Sequence, residues 1–428
     1  VYEVQGPWQR AWAQFRTGTS PIDYVSPSGA GGDSLLVTAG QVGRRSRVWW
    51  RNVLDQFGAA DVIMPLARLE RQWPGGPIRG TFTARYGPDN QYVDSFTLTA
   101  PDEAGLPRLL ADVGGTNARF AWQAGPGAPI EAQRTLPCAD YPTIDAAIQA
   151  YLGGLDRPRP QVGAIAIANP VSGDHVQMTN HHWSFSIAAL QQALGFEVLR
   201  VLNDFTALAL ALPGLPDSDK RRVGGGPPDP SAPVALIGAG TGLGVSGLLP
   251  DGRGGWVPLQ GEGGHTSLAP ASAREWQVVE RLQQRHGHAS AERAVSGQGL
   301  VDVFCALCAA DQRSAPDHWT PAHITDRALA GQDAHCIEAL GMFCAFLGSV
   351  AGNLALTLGA RGGVYVGGGI VPRLGTWFDR SPFRARFEAK GRFEPYLRGI
   401  PVWVVTAEQS PALAGAARAL DRPDEVLV

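Results

Sequence analysis

Along the chain, short β-rich and mostly apolar runs alternate with Gly-rich loops and with segments of helical spacing. The runs are Leu109–Val113, Val162–Ala168, Val198–Leu202, Val234–Gly238 and Gly363–Gly367. Runs of five to seven such residues ending in glycine-rich turns predict strands, and the helical patterns between them predict an α/β fold. Ser184–Leu194 (SFSIAALQQAL) carries a Ser cap and apolar helical spacing, and Ala273–His286 reads as a polar-faced helix. Lys220–Ala232 reads as a surface loop, and no internal repeat of fixed period stands out. One uncharged stretch, Ala339–Ala360, is long enough to span a bilayer. It contains Gly341, Gly348, Ser349, Gly352, Asn353 and Thr357, and no second such span accompanies it, so a buried helix is expected.

Before residue 106 the pattern is different. Trp8, Trp12, Trp49, Trp50 and Trp73 are five of the twelve tryptophans, and they read as core rather than as a sugar-stacking surface. Spacing predicts a helix over Ser46–Phe57 and a strand over Asp61–Leu69. It also predicts a hairpin in GTFTARYGPDNQYVDSFTLTA, around a Gly-Pro-Asp-Asn turn. Together these predict a small α+β extension, with the proline-bounded Pro101–Pro107 as its linker.

Composition sharpens this only in part. A length of 428 residues suggests two or three domains, and 44% apolar residues can fill a sizeable core. A charged fraction of 18% and a net charge of -3 argue against disorder and against a strong preference for nucleic acid. Gly and Pro are plentiful, at 54 and 33, but stay below the level of low complexity. Five cysteines suit a reducing compartment. Cys305 and Cys308 lie at helical spacing in VDVFCALCAA, which predicts core thiols rather than a zinc site. The first residues, VYEVQGPWQRAW, lack the basic and apolar regions of a secretory signal; they also lack an initiator Met, which leaves the natural start open.

The candidate chemistry begins with an absence. The only lysines, Lys220 and Lys390, complete no GxxxxGK[ST], and no GxGxxG opens a helix after the first strand. P-loop and Rossmann sites are excluded or disfavoured accordingly. Three other glycine loops each follow an expected strand. Gly114-Gly115-Thr116-Asn117, entered by Ala111, Asp112 and Val113, reads as a hairpin turn whose N–H groups could bind phosphate, or as an ordinary hairpin. Gly240-Thr241-Gly242 repeats that arrangement, and Gly367-Gly368-Gly369 ends a strand where a flat ligand could approach backbone.

Asp204, in VLRVLNDFTALAL, stands between a strand and a helix. Its position alone favours an N-cap; a carboxylate there could also accept a proton from a hydroxyl. Glu262 and His265 in QGEGGHT could bind a polyol, form a one-sided metal site or be a solvated turn. The adjacent His181 and His182 are expected to diverge, and so to be structural rather than a shared metal site.

From Leu109 onward the chain resembles the proteobacterial glucokinases of the actin-like ATPase and hexokinase superfamily. The resemblance rests on ADVGGTNARF, TNHHWSFSIAALQQALGF, NDFTALALALP, GAGTGLGV, GEGGHTSLAP, SAERAVSGQGL and GGGIVPR. It departs at Ala111, where that family usually has Gly. The resemblance implies a two-domain actin-like (ribonuclease-H-like) α/β fold around a cleft. Its small domain would be 107–214 plus 408–428, its large domain 215–407, and 1–106 an extension. It implies MgATP-dependent phosphorylation of glucose at the 6-hydroxyl, feeding glycolysis, with Asp204 as base. Asn180, Asn203, Asp204, Glu262, His265 and Glu292 would meet the sugar. Ala111–Asn117, Gly240–Gly242 and Gly367–Gly369 would meet the nucleotide, with Asp112 positioning Mg²⁺ through water. A cytoplasmic homodimer is implied, with no membrane or nucleic-acid partner.

The rivals are a hexokinase of broader sugar range and a sugar-sensing regulator on the same fold. A regulator would need a DNA-binding module, and residues 1–106 show neither a basic patch nor a helix-turn-helix pattern. Motor-like or chaperone-like ATPases of the superfamily lack the Asn-Asp and Glu-Gly-Gly-His set. The repressor/ORF/kinase enzymes carry a cysteine-rich zinc motif that is missing here.

Overall fold

A computed structural model describes residues 46–48, 79–84, 93–99 and 106–421, except 180, 253, 408 and 409. Before residue 106 it shows β1 (Ser46–Val48), β2 (Arg79–Ala84) and β3 (Val93–Thr99). The expected hairpin is present: β2 and β3 pair antiparallel from Arg79↔Thr99 to Ala84↔Val93. The helix expected from Ser46 is corrected at its first turn. Ser46–Val48 is a strand, paired with the outer edge of β3 at Ser46↔Leu98, so sheet pairing overrides local spacing. The remainder of that helix and the Asp61–Leu69 strand lie outside the described residues.

The first α/β sheet contains β4 (Arg108–Val113), β5 (Asn117–Gln123), β6 (Ile130–Pro137), β7 (Val162–Ile167) and β10 (Val198–Asn203). Helix α1 (Ile144–Gly153) precedes β7, and the short pair β8 (His175–Gln177) and β9 (Ser184–Ser186) leads into α2 (Ile187–Leu194). The order is β10-β7-β4-β5-β6; β4–β5–β6 form an antiparallel meander, and β7 and β10 add in parallel. Every residue of β4 and β7 is buried, as expected of strands covered on both faces. Ile148 and Tyr151 of α1 pack with Phe120, Ile165 and Trp183. The expected helix at Ser184 starts three residues late. Ser186 is its N-cap, accepting from Ala189 N–H, while Ser184–Ser186 pairs with β8.

Helix α3 (Asp204–Ala211) follows β10, and the chain then enters a second sheet. Its strands are β11 (Lys220–Arg222), β12 (Val234–Ala239), β13 (Leu243–Pro250) and β14 (Trp256–Gly261), then β15 (Gly363–Gly367) and β16 (Val402–Val405). Between β14 and β15 come α4 (Ala273–His286), α5 (Gly297–Ala310), α6 (Pro321–Leu329) and α7 (Ala334–Leu358). Helices α8 (Phe383–Glu388) and α9 (Glu394–Gly399) precede β16, and α10 (Pro411–Asp421) follows it. Helix α7 carries the uncharged stretch, and its buried residues, Phe343, Phe346 and Leu347 among them, join the core of this half. Cys305 and Cys308 sit on α5, with free thiols whose pKa burial raises.

The second sheet runs β11-β16-β15-β12-β13-β14. Apart from the edge strand β11, it repeats the first sheet's wiring: an antiparallel meander, two parallel strands, then a helix. The repeat is therefore topological, which explains why no fixed sequence period revealed it. The surface loop expected from Lys220 is corrected at Lys220–Arg222, which pairs antiparallel with Val405–Trp403. The helices that end the two repeats, α3 and α10, pack on each other. A side chain at Gly415 of α10 would meet the Ala207 carbonyl oxygen of α3 at 1.7 Å, so only glycine lets them cross this closely. Leu210 of α3 packs with Leu236 and Leu248 of the second sheet. Phe205, at the start of α3, lies against β13, where a Cβ on Gly244 would be 2.2 Å from its ring, so this end of the helix also sits at the junction of the two halves.

Candidate functional site

Four strand ends carry the expected chemistry. The β4–β5 ladder ends at Val113↔Ala118, and the Gly114 N–H donates to the Asn117 carbonyl at 2.9 Å. Gly115 and Thr116 are left at the tip, where Thr116 is exposed. Ala111 and Val113 are wholly buried in β4, so their side chains shape the strand and belong to the core. The β12–β13 ladder ends in the same way at Ala239↔Leu243, with the Gly240 N–H donating to the Gly242 carbonyl at 2.8 Å. Parallel pairing of Gly238 with Gly367 brings the third loop beside the second. Gly368 has φ +80, and a Cβ there would lie 2.3 Å from the Ala239 carbonyl, so both backbone shape and contact require glycine.

At the fourth strand end, the N-cap of α3 is Asn203, not Asp204. Asn203 Oδ1 accepts the N–H groups of Phe205 (2.9 Å) and Thr206 (3.2 Å), and its Nδ2 donates to the Asn169 carbonyl at 3.3 Å. The Asp204 carboxylate, relieved of capping, accepts the Phe205 N–H on its Oδ1 at 2.9 Å. Burial first, and the nearby Asp112 carboxylate second, push the Asp204 carboxyl up to about 6. Asp112 is itself buried. Its Oδ2 accepts from the Arg119 guanidinium at 3.0 Å and from the Ser410 hydroxyl at 2.7 Å.

The expected sugar residues gather on the other side of the second glycine turn. Glu262 precedes a short 3-10 turn, Gly263–His265, and its carboxylate lies 3.9 Å from His265 Nε2, with both side chains more than half exposed. Gly264 rests against β13, where a Cβ would meet the Leu243 carbonyl oxygen at 2.1 Å. The segment is laced to the one bearing Glu292, since Ala291 N–H donates to the Thr266 carbonyl at 2.8 Å. Glu292 Oε2 accepts the Leu243 N–H at 2.9 Å, and a Cβ on Gly242 would lie 2.5 Å from it. Glu292 therefore braces the second glycine turn from beneath, joining the expected sugar and phosphate groups.

Asn180 lies outside the described residues. Its neighbour Thr179 is held by Asn169, whose Oδ1 accepts both the Thr179 N–H (3.0 Å) and hydroxyl (2.7 Å). The two histidines do not diverge, which corrects the expectation: their ring centres are 4.2 Å apart, and His181 meets Trp183 edge-on at 4.8 Å. His181 is held by its contact with buried Trp183, and His182 by the Pro142 carbonyl, 3.0 Å from its Nε2. Among the described residues no cluster of three metal-ligating side chains occurs.

Arg119, Ser410 and Asn169 were not singled out from the sequence. Arg119 was within reach, because a hairpin turning at Gly115-Thr116 sets Asp112 opposite Arg119. Ser410, 298 residues from Asp112, gives no local signal.

Comparisons with known proteins agree with this geometry. The family pattern described as glucokinase matches residues 109–423. A glucokinase of Chromobacterium violaceum is 57% identical over 311 residues, covering 73% of this chain and 88% of that protein. A glucokinase of Neisseria meningitidis is 53% identical over 323 residues, 76% of this chain and 97% of that one. A bifunctional protein of Burkholderia pseudomallei is 53% identical over 322 residues, of which this chain spans only half the length. Among solved structures, a glucokinase from an Antarctic psychrotroph superposes with a TM-score of 0.67 at 36% identity, over 74% of this chain and 99% of that one. Glycine turns at the ends of repeated sheets, an acid at their junction and this extent of identity together show that the chain belongs to the glucokinase family, whose reaction is ATP-dependent phosphorylation of glucose.

Proposed function

We propose that Asp204 is the general base that takes the proton from the glucose 6-hydroxyl as that oxygen attacks the γ-phosphorus of ATP. The observation that carries this reading is the capping arrangement. Asn203 satisfies the helix terminus, and Asp204 keeps an acceptor carboxylate at the junction of the two halves. Phosphoryl transfer leaves little covalent work to a protein, so catalysis rests on positioning and on charge stabilisation. Glu262, His265, Glu292 and Asn180 would bind sugar hydroxyls; Asn203 would act mainly by orienting the start of α3. The N–H groups of the Gly114–Asn117 and Gly240–Gly242 turns would cradle phosphates, and Gly367–Gly369 would lie against adenosine.

The residues present fit a magnesium ion that arrives with the nucleotide. Arg119 and Ser410 hold Oδ2 of Asp112, which leaves Oδ1 to meet a hydrated ion. Bound there, Mg²⁺ would offset charge on the phosphates. The five free cysteines support a cytoplasmic setting. A homodimer is part of the same proposal, and sedimentation would read it.

Glu262→Gln and His265→Ala should each raise the KM for glucose by roughly 5- to 150-fold, the cost of an unpaired polar group, with little change in the KM for ATP. Steady-state kinetics with each substrate varied would check this. Equal losses for both substrates would point instead to a collapsed loop.

We divide the chain into an extension (1–106), a small domain (107–214 with 408–428) and a large domain (215–407). Among the described residues, the cores close from Leu106 onward, and Leu106 itself packs beside Ile130 and Val198. A chain beginning at Leu106 should therefore keep kcat and glucose KM within about threefold. Soluble but inactive protein would show that the extension completes the active fold.

A further inference from the structure

The loop that carries Glu262 and His265 also walls an open cavity of about 590 Å³, lined on its other sides by α7 and by α8 with the residues that follow it. Most of the wall is apolar, with Leu268, Val350 and Leu354 prominent, but two cations enter it, Arg386 and Lys390. Their charges are not balanced alike. Arg386 binds both carboxylate oxygens of the buried Glu275 and donates to Ser349 Oγ at 3.0 Å, so its charge is met. Lys390 Nζ donates to the Ser349 carbonyl at 3.1 Å, and among the described residues no carboxylate lies within ion-pair distance of it. A half-buried ammonium on an apolar wall, with one carbonyl partner, lacks one negative charge.

We propose that this cavity is an effector site for a small organic monocarboxylate with a short apolar chain, whose carboxylate pairs with Lys390. Size and charge select that class. The volume lies within the range of small-molecule sites. A phosphate dianion would bring more charge than Lys390 can balance and would lose its hydration against Leu268 and Leu354. Burial and the neighbouring Arg386 hold the Lys390 ammonium below the ordinary lysine value, and an anion alongside would relieve both.

The coupling to activity is structural and rests on the reading of Glu262, His265 and Glu292 as the sugar set. Gly263, Thr266 and Leu268 line the cavity, and the same segment pairs with Ala289–Ala291, next to Glu292. Filling the space behind the loop restrains it, which lowers the ordering cost when glucose binds. The effector therefore lowers the glucose KM and leaves kcat nearly unchanged.

The test uses the full chain and sodium hexanoate as probe, with hexanol and inorganic phosphate alongside, by calorimetric titration without glucose and then by kinetics. Hexanoate should bind at least about tenfold more tightly than either control, and should lower the glucose KM severalfold. Lys390→Gln, which keeps a donor for the Ser349 carbonyl, should lose at least tenfold in hexanoate affinity at unchanged kcat and melting temperature. Val350→Trp, filling the cavity with Lys390 intact, should block binding and decides the matter if the Lys390 variant does not fold. Absent hexanoate binding, equal hexanol binding, tighter phosphate binding or full affinity in both variants would overturn the site. Binding without a fall in KM would overturn the coupling. Failure of the sugar assignment would appear separately, as a normal glucose KM in Glu262→Gln.

Discussion

Asp204→Asn should lower kcat by about 10²–10⁴, the usual worth of a general base, while calorimetric glucose affinity stays within about tenfold. The amide keeps the shape and can still accept the Phe205 N–H, so the loss isolates the proton acceptor. Nearly normal turnover would remove Asp204 from the mechanism. The raised carboxyl adds a pH signature. A base works unprotonated, so kcat/KM should be full above the Asp204 value of about 6 and fall as pH drops through it. Asp112→Asn removes the second cause of that shift and should move the acid limb toward lower pH. An unmoved limb would assign it to another group.

The same shift has a stability consequence of opposite sign. The ordinary value is 3.8 and the folded value about 6, so the folded state holds more protons than the unfolded state between them. Stability therefore declines as pH rises through that window, and the penalty is complete above it. Asp204→Asn should melt higher than the parent at pH 7.5, and the gain should vanish near pH 3.5. A carboxylate kept buried beside another acid costs the fold stability that the amide variant should recover.

Much of the candidate site is legible in the sequence because its residues sit at strand ends, where glycine is demanded by backbone geometry and leaves a mark. The turns at Gly114–Asn117 and Gly240–Gly242 formed, and Gly367–Gly369 ends a strand, as the glycine runs imply. The position of Asp204 singles it out, but spacing favours the wrong capping residue. Asn and Asp cap about equally well, and only the register of β10 against β7, Asn203↔Ile167, gives the cap to Asn203. What stayed hidden depended on distant contacts. Ser410 reaches Asp112 through the α3–α10 crossing, and Lys220–Arg222 became a strand because Trp403–Val405 offered an edge. The doubled topology was invisible because each repeat needs its pattern of buried strands, not the same residues.

The crossing of α3 and α10 carries the largest expected effect outside the reacting groups. A Cβ on Gly415 would sit 1.7 Å from the Ala207 oxygen and 2.5 Å from its carbonyl carbon. Contact with backbone cannot be relieved by a rotamer, so even alanine must push the helices apart by more than an ångström. Alanine in place of a helical glycine ordinarily gains up to about 1 kcal/mol. Overpacking of a tight interface costs about 1–3 kcal/mol or more, so the net effect is destabilising. Asp204 begins α3 and Ser410 stands just before α10, so any shift also separates Asp204, the proposed base, from the groups that hold Asp112. Misplacement of about 1 Å can cost 10²-fold in rate. Gly415→Ala should therefore lower both the melting temperature and kcat, the latter by about a hundredfold, and Gly415→Val should not fold. Ala414→Ser, one residue away on the exposed face of α10, should change neither. Ala207→Gly should not rescue Gly415→Ala, because the blocked atom is the carbonyl oxygen; rescue would show that the helices meet through side chains and that this crossing has been misread.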